Sequence, residues 1–206
     1  MPNLLGRLYW SLQSVLVRVR RAEEVRVVNL LFHADYYRSQ YSDVKDAGID
    51  PLTHFLVEGS REGRNPHPLF DTTYYLARNP DVAASSVNPL AHFLTYGASE
   101  GRRPHALFDP AYYLRQNPDV AARGANPLVH FCREGAKLGM KPNSLFDTGY
   151  YVRQNPEVAS SEVNPLVHFL TLGAAEGRNP NPLFDIGYYC SQKGRCESSF
   201  PGEKAT

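Results

Sequence analysis

Residues 69–106 read LFDTTYYLARNPDVAASSVNPLAHFLTYGASEGRRPHA, and residues 145–182 repeat this 38-residue pattern with few changes. The register is kept along the whole chain, as the first phenylalanine of each copy shows: Phe32, Phe70, Phe108, Phe146 and Phe184. A fixed period of roughly 20–50 residues is typical of repeat arrays, in which neighbouring units complete each other's core. We therefore predict an all-α fold, an α-solenoid of about four and a half helical repeats with an N-terminal amphipathic helix.

The helices within one copy are predicted from its Asp, Asn-Pro and Gly residues. Asp71 stands at a helix N-cap, and the Asn-Pro pair at Asn79 ends that short helix because a residue before proline leaves helical geometry. The same Asn79 can cap a second short turn. The Asn-Pro pair at Asn88 starts the longest helix, whose apolar residues keep helical spacing up to Gly97. We expect Gly97 to make a close helix contact and Gly101 to be the C-cap.

The period divides the chain into three parts. Residues 1–30 form the predicted amphipathic helix, residues 31–189 the repeat array, and residues 190–206 a tail without apolar periodicity that we expect to be disordered. The four complete copies, called copies 1 to 4 below, span 31–68, 69–106, 107–144 and 145–182, and a partial copy 5 covers 183–189.

Composition excludes several classes of protein. A net charge of +1 gives no field that would attract nucleic acid. Three cysteines without a CxxC spacing predict neither a disulfide framework nor a zinc site, and they favour a cytoplasmic location. The sequence contains no apolar run long enough to span a membrane and no nucleotide-binding or hydrolase motif. We expect a protein that is not an enzyme and uses no cofactor or metal.

Residues 3–28 are predicted to form a separate helix. Its apolar residues follow one another in steps of three and four, as the seam of a packed helix does: Leu5, Leu8, Leu12, Val15 and Val19. One interpretation is that this helix covers the open face of copy 1. A second is that it makes peripheral contact with the inner membrane through its arginines, together with the aromatic side chains of Tyr9 and Trp10. A third is that it forms a coiled coil with a partner.

The recurring polar side chains define a candidate binding surface. Adjacent residues on a helix point about 100° apart, so one tyrosine of each Tyr-Tyr pair is expected in the core and the other in solvent. We place the exposed row, together with histidines and arginines of the same rim, at Tyr75, Tyr113, Tyr151, His92, His130, His168, Arg64, Arg102 and Arg178. The alternative is structural: tyrosines in the core, half-buried histidines bonded to a neighbouring turn, and arginines paired with carboxylates. Successive histidines, roughly 10 Å apart in such an array, are too distant to share a zinc ion.

The motif FDxxYYLxxNPDVA followed by NPLxHFLxxGAxEGRxP resembles the repeat segments that accompany glycosyltransferase domains in bacterial polysaccharide-synthesis proteins. The resemblance covers residues 31–189. It implies a scaffold or interaction module linked to cell-surface polysaccharide biosynthesis, with a protein or a glycan as partner. No transferase domain is present, so it implies no catalytic residue. Because the repeat stops after Tyr189, an N-terminal fragment or accessory part of a glycosyltransferase is the alternative.

Overall fold

The computed structural model describes residues 4–193, and no β-strand forms within that range. The prediction of an all-α fold with repeated helix pairs is confirmed. The chain divides into two compact units, an N-terminal unit of Met1–Pro110 and a C-terminal unit of Ala111–Thr206.

The helices recur in the same order in each copy. Two helices precede the repeats, α1 (Leu4–Arg20) and α2 (Ala22–Val28). Copies 1 and 2 contain α3 (Ala34–Gln40), α4 (Ser42–Asp46), α5 (Pro51–His54), π1 (Phe55–Gly59), α6 (Thr72–Arg78), α7 (Pro80–Ala83), α8 (Pro89–His92) and π2 (Phe93–Gly97). Copies 3 to 5 contain α9 (Pro110–Gln116), α10 (Pro118–Ala122), α11 (Pro127–His130), π3 (Phe131–Gly135), α12 (Thr148–Gln154), α13 (Pro156–Ser160), α14 (Pro165–His168), π4 (Phe169–Gly173) and α15 (Ile186–Lys193).

Two boundaries differ from the predicted ones. The N-terminal segment is broken at Arg21 into α1 and α2, so the prediction of one continuous helix is wrong there. At the other end, α15 continues past Tyr189 to Lys193, and residues 190–193 are therefore helical where disorder was predicted. The rest of the predicted tail, residues 194–206, lies outside the described residues.

Aspartate caps begin the first helix of a copy, as predicted. The carboxylate of Asp71 accepts the N–H of Tyr74 at 2.9 Å, and Asp147 accepts that of Tyr150 at 2.8 Å. In copy 1 the residue at this position is His33, whose Nδ1 accepts the N–H of Tyr36 at 3.1 Å. The substitution therefore keeps the hydrogen-bond acceptor that an N-cap requires.

The two Asn-Pro pairs of a copy act differently. Asn88 caps α8, because its side-chain oxygen accepts the N–H groups of Leu90 and Ala91 at 3.0 and 3.2 Å. Asn79 makes no side-chain cap to α7, so the cap predicted there is wrong. Its amide instead donates to the carbonyl oxygen of Tyr75 at 2.7 Å and satisfies the end of α6.

Backbone hydrogen bonds close each copy and link neighbouring copies. The residue that caps the first helix donates its N–H to a proline carbonyl near the end of the same copy. These bonds are His33 to Pro66 at 3.0 Å, Asp71 to Pro104 at 2.9 Å, and Asp147 to Pro180 at 2.9 Å. Between copies, the buried hydroxyls of Thr72 and Thr148 donate to the carbonyl oxygens of Arg64 and Met140 at 2.8 and 2.7 Å.

The core of a copy is mainly aromatic. In copy 2, Phe70, Tyr75, Leu90 and Phe93 are fully buried. The ring of Phe93 lies 5.8 Å from that of Phe70 and 5.9 Å from that of Tyr75, the latter edge to face. Burial of each such side chain contributes on the order of 1.5–3 kcal/mol, so these four residues contribute a substantial part of the stability of a copy.

The helices α1 and α2 pack on copies 1 and 2. Helix α1 contacts α5 and π1, and α2 contacts α8 and π2. The indole of Trp10 stacks on the ring of His54 with 5.2 Å between centroids, Val17 and Val28 are buried, and Arg21 donates to the carbonyl oxygen of Leu56 at 2.7 Å. The helix thus covers copy 1, but not through the seam we predicted.

From Leu8 to Val19 that seam is exposed, and the side chain of Leu5 lies outside the described residues. The exposed fractions are 53% for Leu8, 62% for Leu12, 61% for Val15 and 74% for Val19. The prediction that these side chains form the packing face is therefore wrong, because the face that carries Trp10 and Val17 takes that role. None of the described helices is long and apolar enough to cross a bilayer.

Candidate binding surface

Each complete copy contains a tyrosine hydroxyl hydrogen bonded to Nδ1 of a histidine 17 residues further along the chain. The tyrosine belongs to the first helix of the copy, and the histidine is the last residue of the α-helical turn before the π-helix. The four bonds are Tyr37–His54 at 2.9 Å, Tyr75–His92 at 2.9 Å, Tyr113–His130 at 2.8 Å and Tyr151–His168 at 2.8 Å. The pair therefore ties the two halves of a copy together.

A glycine and a π-helical turn make room for the hydroxyl. In copy 2 the N–H of Ala98 bonds to the carbonyl oxygen of Phe93 at 3.0 Å, which widens the turn by one residue. A Cβ atom added at Gly97 would lie 2.2 Å from the hydroxyl oxygen of Tyr75. At Gly59, Gly135 and Gly173 the corresponding distance is 2.0 Å. The predicted close contact at these glycines is thus a contact with the tyrosine hydroxyl.

The tyrosines that we predicted to form an exposed row are buried. Tyr75, Tyr113 and Tyr151 have no exposed surface, so their assignment to the binding surface is wrong. The other tyrosine of each pair is half-buried, and in copy 2 the guanidinium of Arg78 lies 4.8 Å above the ring of Tyr74. Burial raises the pKa of Tyr151 to about 12, which keeps its hydroxyl protonated and able to donate.

The histidines turn one ring nitrogen inward and the other outward. A neutral imidazole whose Nδ1 accepts the tyrosine proton carries its own proton on Nε2. Nε2 of His54 lies 4.0 Å from the carboxylate of Glu58, and Nε2 of His130 lies 3.7 Å from the carboxylate of Glu134. His54 is buried, and burial lowers its pKa. His92, His130 and His168 are half-buried, and each can present an N–H donor at the surface.

The predicted rim arginines are paired with carboxylates. Arg64 donates to Asp43 at 2.8 Å and to Glu62 at 2.6 Å, and its hydrogen bond lowers the pKa of Asp43. The equivalent partners are Asp81 and Glu100 for Arg102, and Glu157 and Glu176 for Arg178. In copy 3, Met140 stands in this position, and its sulfur lies 3.2 Å from the hydroxyl of Tyr113. Each of these arginines therefore links two segments of its own copy, and its charge is already paired with carboxylates.

Exposed positions that vary between copies surround this constant framework. The third and fourth residues after the histidine are exposed in copies 2, 3 and 4: Thr95 and Tyr96, Arg133 and Glu134, Thr171 and Leu172. Tyr96 is 60% exposed and Leu172 52% exposed, and Leu138 of copy 3, at a position occupied by glutamate in the other copies, is 67% exposed. We did not single out these residues from the sequence. A comparison of the copies position by position would have identified them, because they differ where the histidine and glycine do not.

We also looked at possible metal ligands and at the groove beside α1. No group of three or more His, Cys, Asp or Glu side chains that could hold a metal ion lies in the part of the chain that the structure describes. A groove of about 410 Å³ runs between α1 and residues 47–50, lined by Trp10, Ser14 and Asp50. Its one carboxylate caps α5 by accepting the N–H of Thr53 at 3.0 Å.

Comparisons with protein-family models, with curated proteins and with solved structures find no match for this chain. Function must therefore be argued from the repeat surface itself.

Proposed function

We propose that this chain is a non-catalytic α-solenoid module that binds a protein partner. One observation carries the proposal: the polar side chains that recur from copy to copy are hydrogen bonded within their own copy. The tyrosine bonds to the histidine, the arginine to two carboxylates, and the aspartate to a backbone N–H. Side chains that make these bonds stabilise the fold, and we therefore assign no catalytic role to the recurring polar residues.

Each of the two units, taken by itself, exposes residues outside this framework that suit the binding of a protein. Repeat proteins commonly present varied residues on a constant scaffold. The varied residues include Tyr96 and Arg133, and tyrosine and arginine are enriched at the energetic centres of protein interfaces. Exposed Leu138 and Leu172 add apolar area of the kind that such interfaces bury. A glycan is the weaker candidate, because the tyrosine row on which sugars would stack is buried.

We further propose that the module acts beside the machinery of bacterial polysaccharide assembly. The resemblance of residues 31–189 to segments that accompany glycosyltransferase domains supports a cytoplasmic role beside bacterial polysaccharide assembly. In that role the partner is a protein of the assembly machinery, and the module holds it without carrying out the transfer.

The proposal is tested by a surface variant that leaves the framework intact. Tyr96→Ala, Leu138→Ser and Leu172→Ser combined should weaken binding of a partner, identified by crosslinking in cells, by at least about tenfold, since a central interface residue contributes more than about 1 kcal/mol. The matched control replaces Val87 and Val163, which are also exposed, by serine and should bind as the wild type does.

Two results would overturn this function. Binding of a glycan on an array, lost in the triple variant, would assign the surface to sugar. Hydrolysis of a nucleotide sugar by the purified chain would contradict the non-catalytic role.

A further inference from the structure

Helix α1 has a stripe of exposed apolar side chains along one side. It consists of Leu8, Tyr9, Leu12, Val15, Leu16 and Val19, all between 40% and 74% exposed. At about 100° per residue these six side chains fall within one side of the helix. Scattered apolar residues are ordinary on a protein surface, whereas a contiguous stripe marks an interaction site.

The stripe lies on nearly the opposite side of α1 from its packing face. On the packing side Val17 is buried and Trp10 lies on His54, and the other residues there that are at least partly covered are Gly6, Gln13 and Ser14. A helix held by one face directs the other away from the repeats.

Basic side chains border the stripe on both sides. Arg18 lies beside one edge of the stripe and Arg20 beside the other edge, and both side chains are exposed. The helix sequence LLGRLYWSLQSVLVRVR contains three arginines and no acidic residue. A helix with this pattern lies in the plane of a membrane interface, its apolar side chains among the acyl chains and its arginines at the lipid phosphates.

We infer that α1 binds the surface of an anionic lipid bilayer through this stripe while it stays packed on copy 1. The charge pattern decides between a bilayer and a second copy of the chain. Two copies paired along this stripe would bring arginines of like charge together, and α1 has no carboxylate to neutralise them. Anionic headgroups supply that neutralisation. The residues proposed for protein binding lie outside α1, so lipid binding by α1 can be tested separately from protein binding by the repeats.

The test is co-sedimentation of the full chain with vesicles. The wild type should sediment with vesicles of three parts phosphatidylcholine to one part phosphatidylglycerol, less at high salt, and not with phosphatidylcholine alone. Leu12→Ser with Val15→Ser should reduce the partition coefficient by at least about tenfold, because both side chains would lose their apolar burial. Arg18→Gln with Arg20→Gln should also weaken binding and reduce its salt dependence.

Matched variants separate this effect from general surface changes. Leu138→Ser with Val163→Ser removes two exposed apolar side chains elsewhere, and Arg115→Gln with Arg123→Gln removes two exposed charges elsewhere. Both controls should sediment as the wild type does. The inference is wrong if the wild type stays in the supernatant, or if the α1 variants sediment unchanged. A dimer seen by analytical ultracentrifugation, and abolished by the Leu12 and Val15 changes, would assign the stripe to a second copy instead.

Discussion

The hydroxyl oxygen of Tyr75 lies 2.9 Å from Nδ1 of His92, and the two residues are 17 positions apart in sequence. This bond joins the first helix of copy 2 to the turn at which α8 becomes the π-helix, above a glycine that has no Cβ to obstruct it. The same geometry recurs in copies 1, 3 and 4. Tyr75 and His92, which the sequence analysis assigns to a binding surface, are thus the link between the two halves of the copy.

Removal of the hydroxyl should destabilise the protein. Tyr75→Phe leaves Nδ1 of His92 without its partner inside the copy, and we expect a loss of about 1–3 kcal/mol in the free energy of unfolding, measured by urea denaturation. The neighbouring Tyr74→Phe change is the control, because the ring under Arg78 is kept, and it should alter stability by about 0.5 kcal/mol or less. Equal effects of the two changes would contradict a structural role for the Tyr75 hydroxyl.

Replacement of Gly97 by alanine should also destabilise the protein. Gly97→Ala places a Cβ 2.2 Å from the Tyr75 hydroxyl oxygen, so the ring must move, at a cost of about 1–3 kcal/mol. Gly97→Ala combined with Tyr75→Phe should cost less than the sum of the two, because the hydroxyl that clashes is gone. Gly149→Ala is the helical control. There the added Cβ meets the flexible end of Arg153, and stability should be unchanged or higher. Strict additivity in the double variant would refute the clash.

Acid should destabilise the N-terminal unit through His67 and His105. Burial lowers the pKa of His67 from 6.5 to about 3 and also lowers that of His105. With the folded pKa below the unfolded one, the unfolded chain binds more protons as the pH falls below about 6.5. The stabilisation is complete above that pH, and it decreases by up to about 1.4 kcal/mol per pH unit for each such group.

The repeats themselves supply the variant that tests this. Asn143 occupies the position of His67 in copy 3, and its side chain accepts the N–H of Leu145 as His67 accepts that of Leu69. His67→Asn with His105→Asn should therefore keep the fold and flatten the decrease in stability between pH 6.5 and 4.5, measured by urea denaturation. Asn143→His should make it steeper. An unchanged slope in both variants would assign the acid sensitivity to other groups.

The attachment of α1 should depend on its tryptophan. Trp10→Ala removes the ring that stacks on His54, and we expect faster hydrogen exchange in the amides of α1 and a loss of about 1–3 kcal/mol of stability. Leu12→Ala, on the exposed stripe, should change neither. If Leu12→Ala released α1 and Trp10→Ala did not, the packing face would be the one predicted from the sequence seam.

Much of the secondary structure follows from local chemistry. Asp71 accepts a hydrogen bond from an N–H three residues ahead, a proline after Asn79 cannot continue a helix, and Gly101 has a φ of 73°, which few other residues adopt. Such properties belong to a few adjacent residues, so the sequence reveals them directly. The widened turn from Phe93 to Gly97 is different, because it depends on a hydroxyl that comes from another helix.

The sequence by itself determined the repeat period, the capped helix starts within a copy and the all-α class, because capping, proline geometry and helical spacing act over short distances. Only the tertiary structure decided which tyrosine of each pair is buried and which face of α1 is covered. Tyr74 and Tyr75 have the same side chain, and α1 has apolar residues on two sides. In each case the choice depends on how the helix is rotated about its axis, and that rotation is set by contacts such as Tyr75 with His92 and Trp10 with His54.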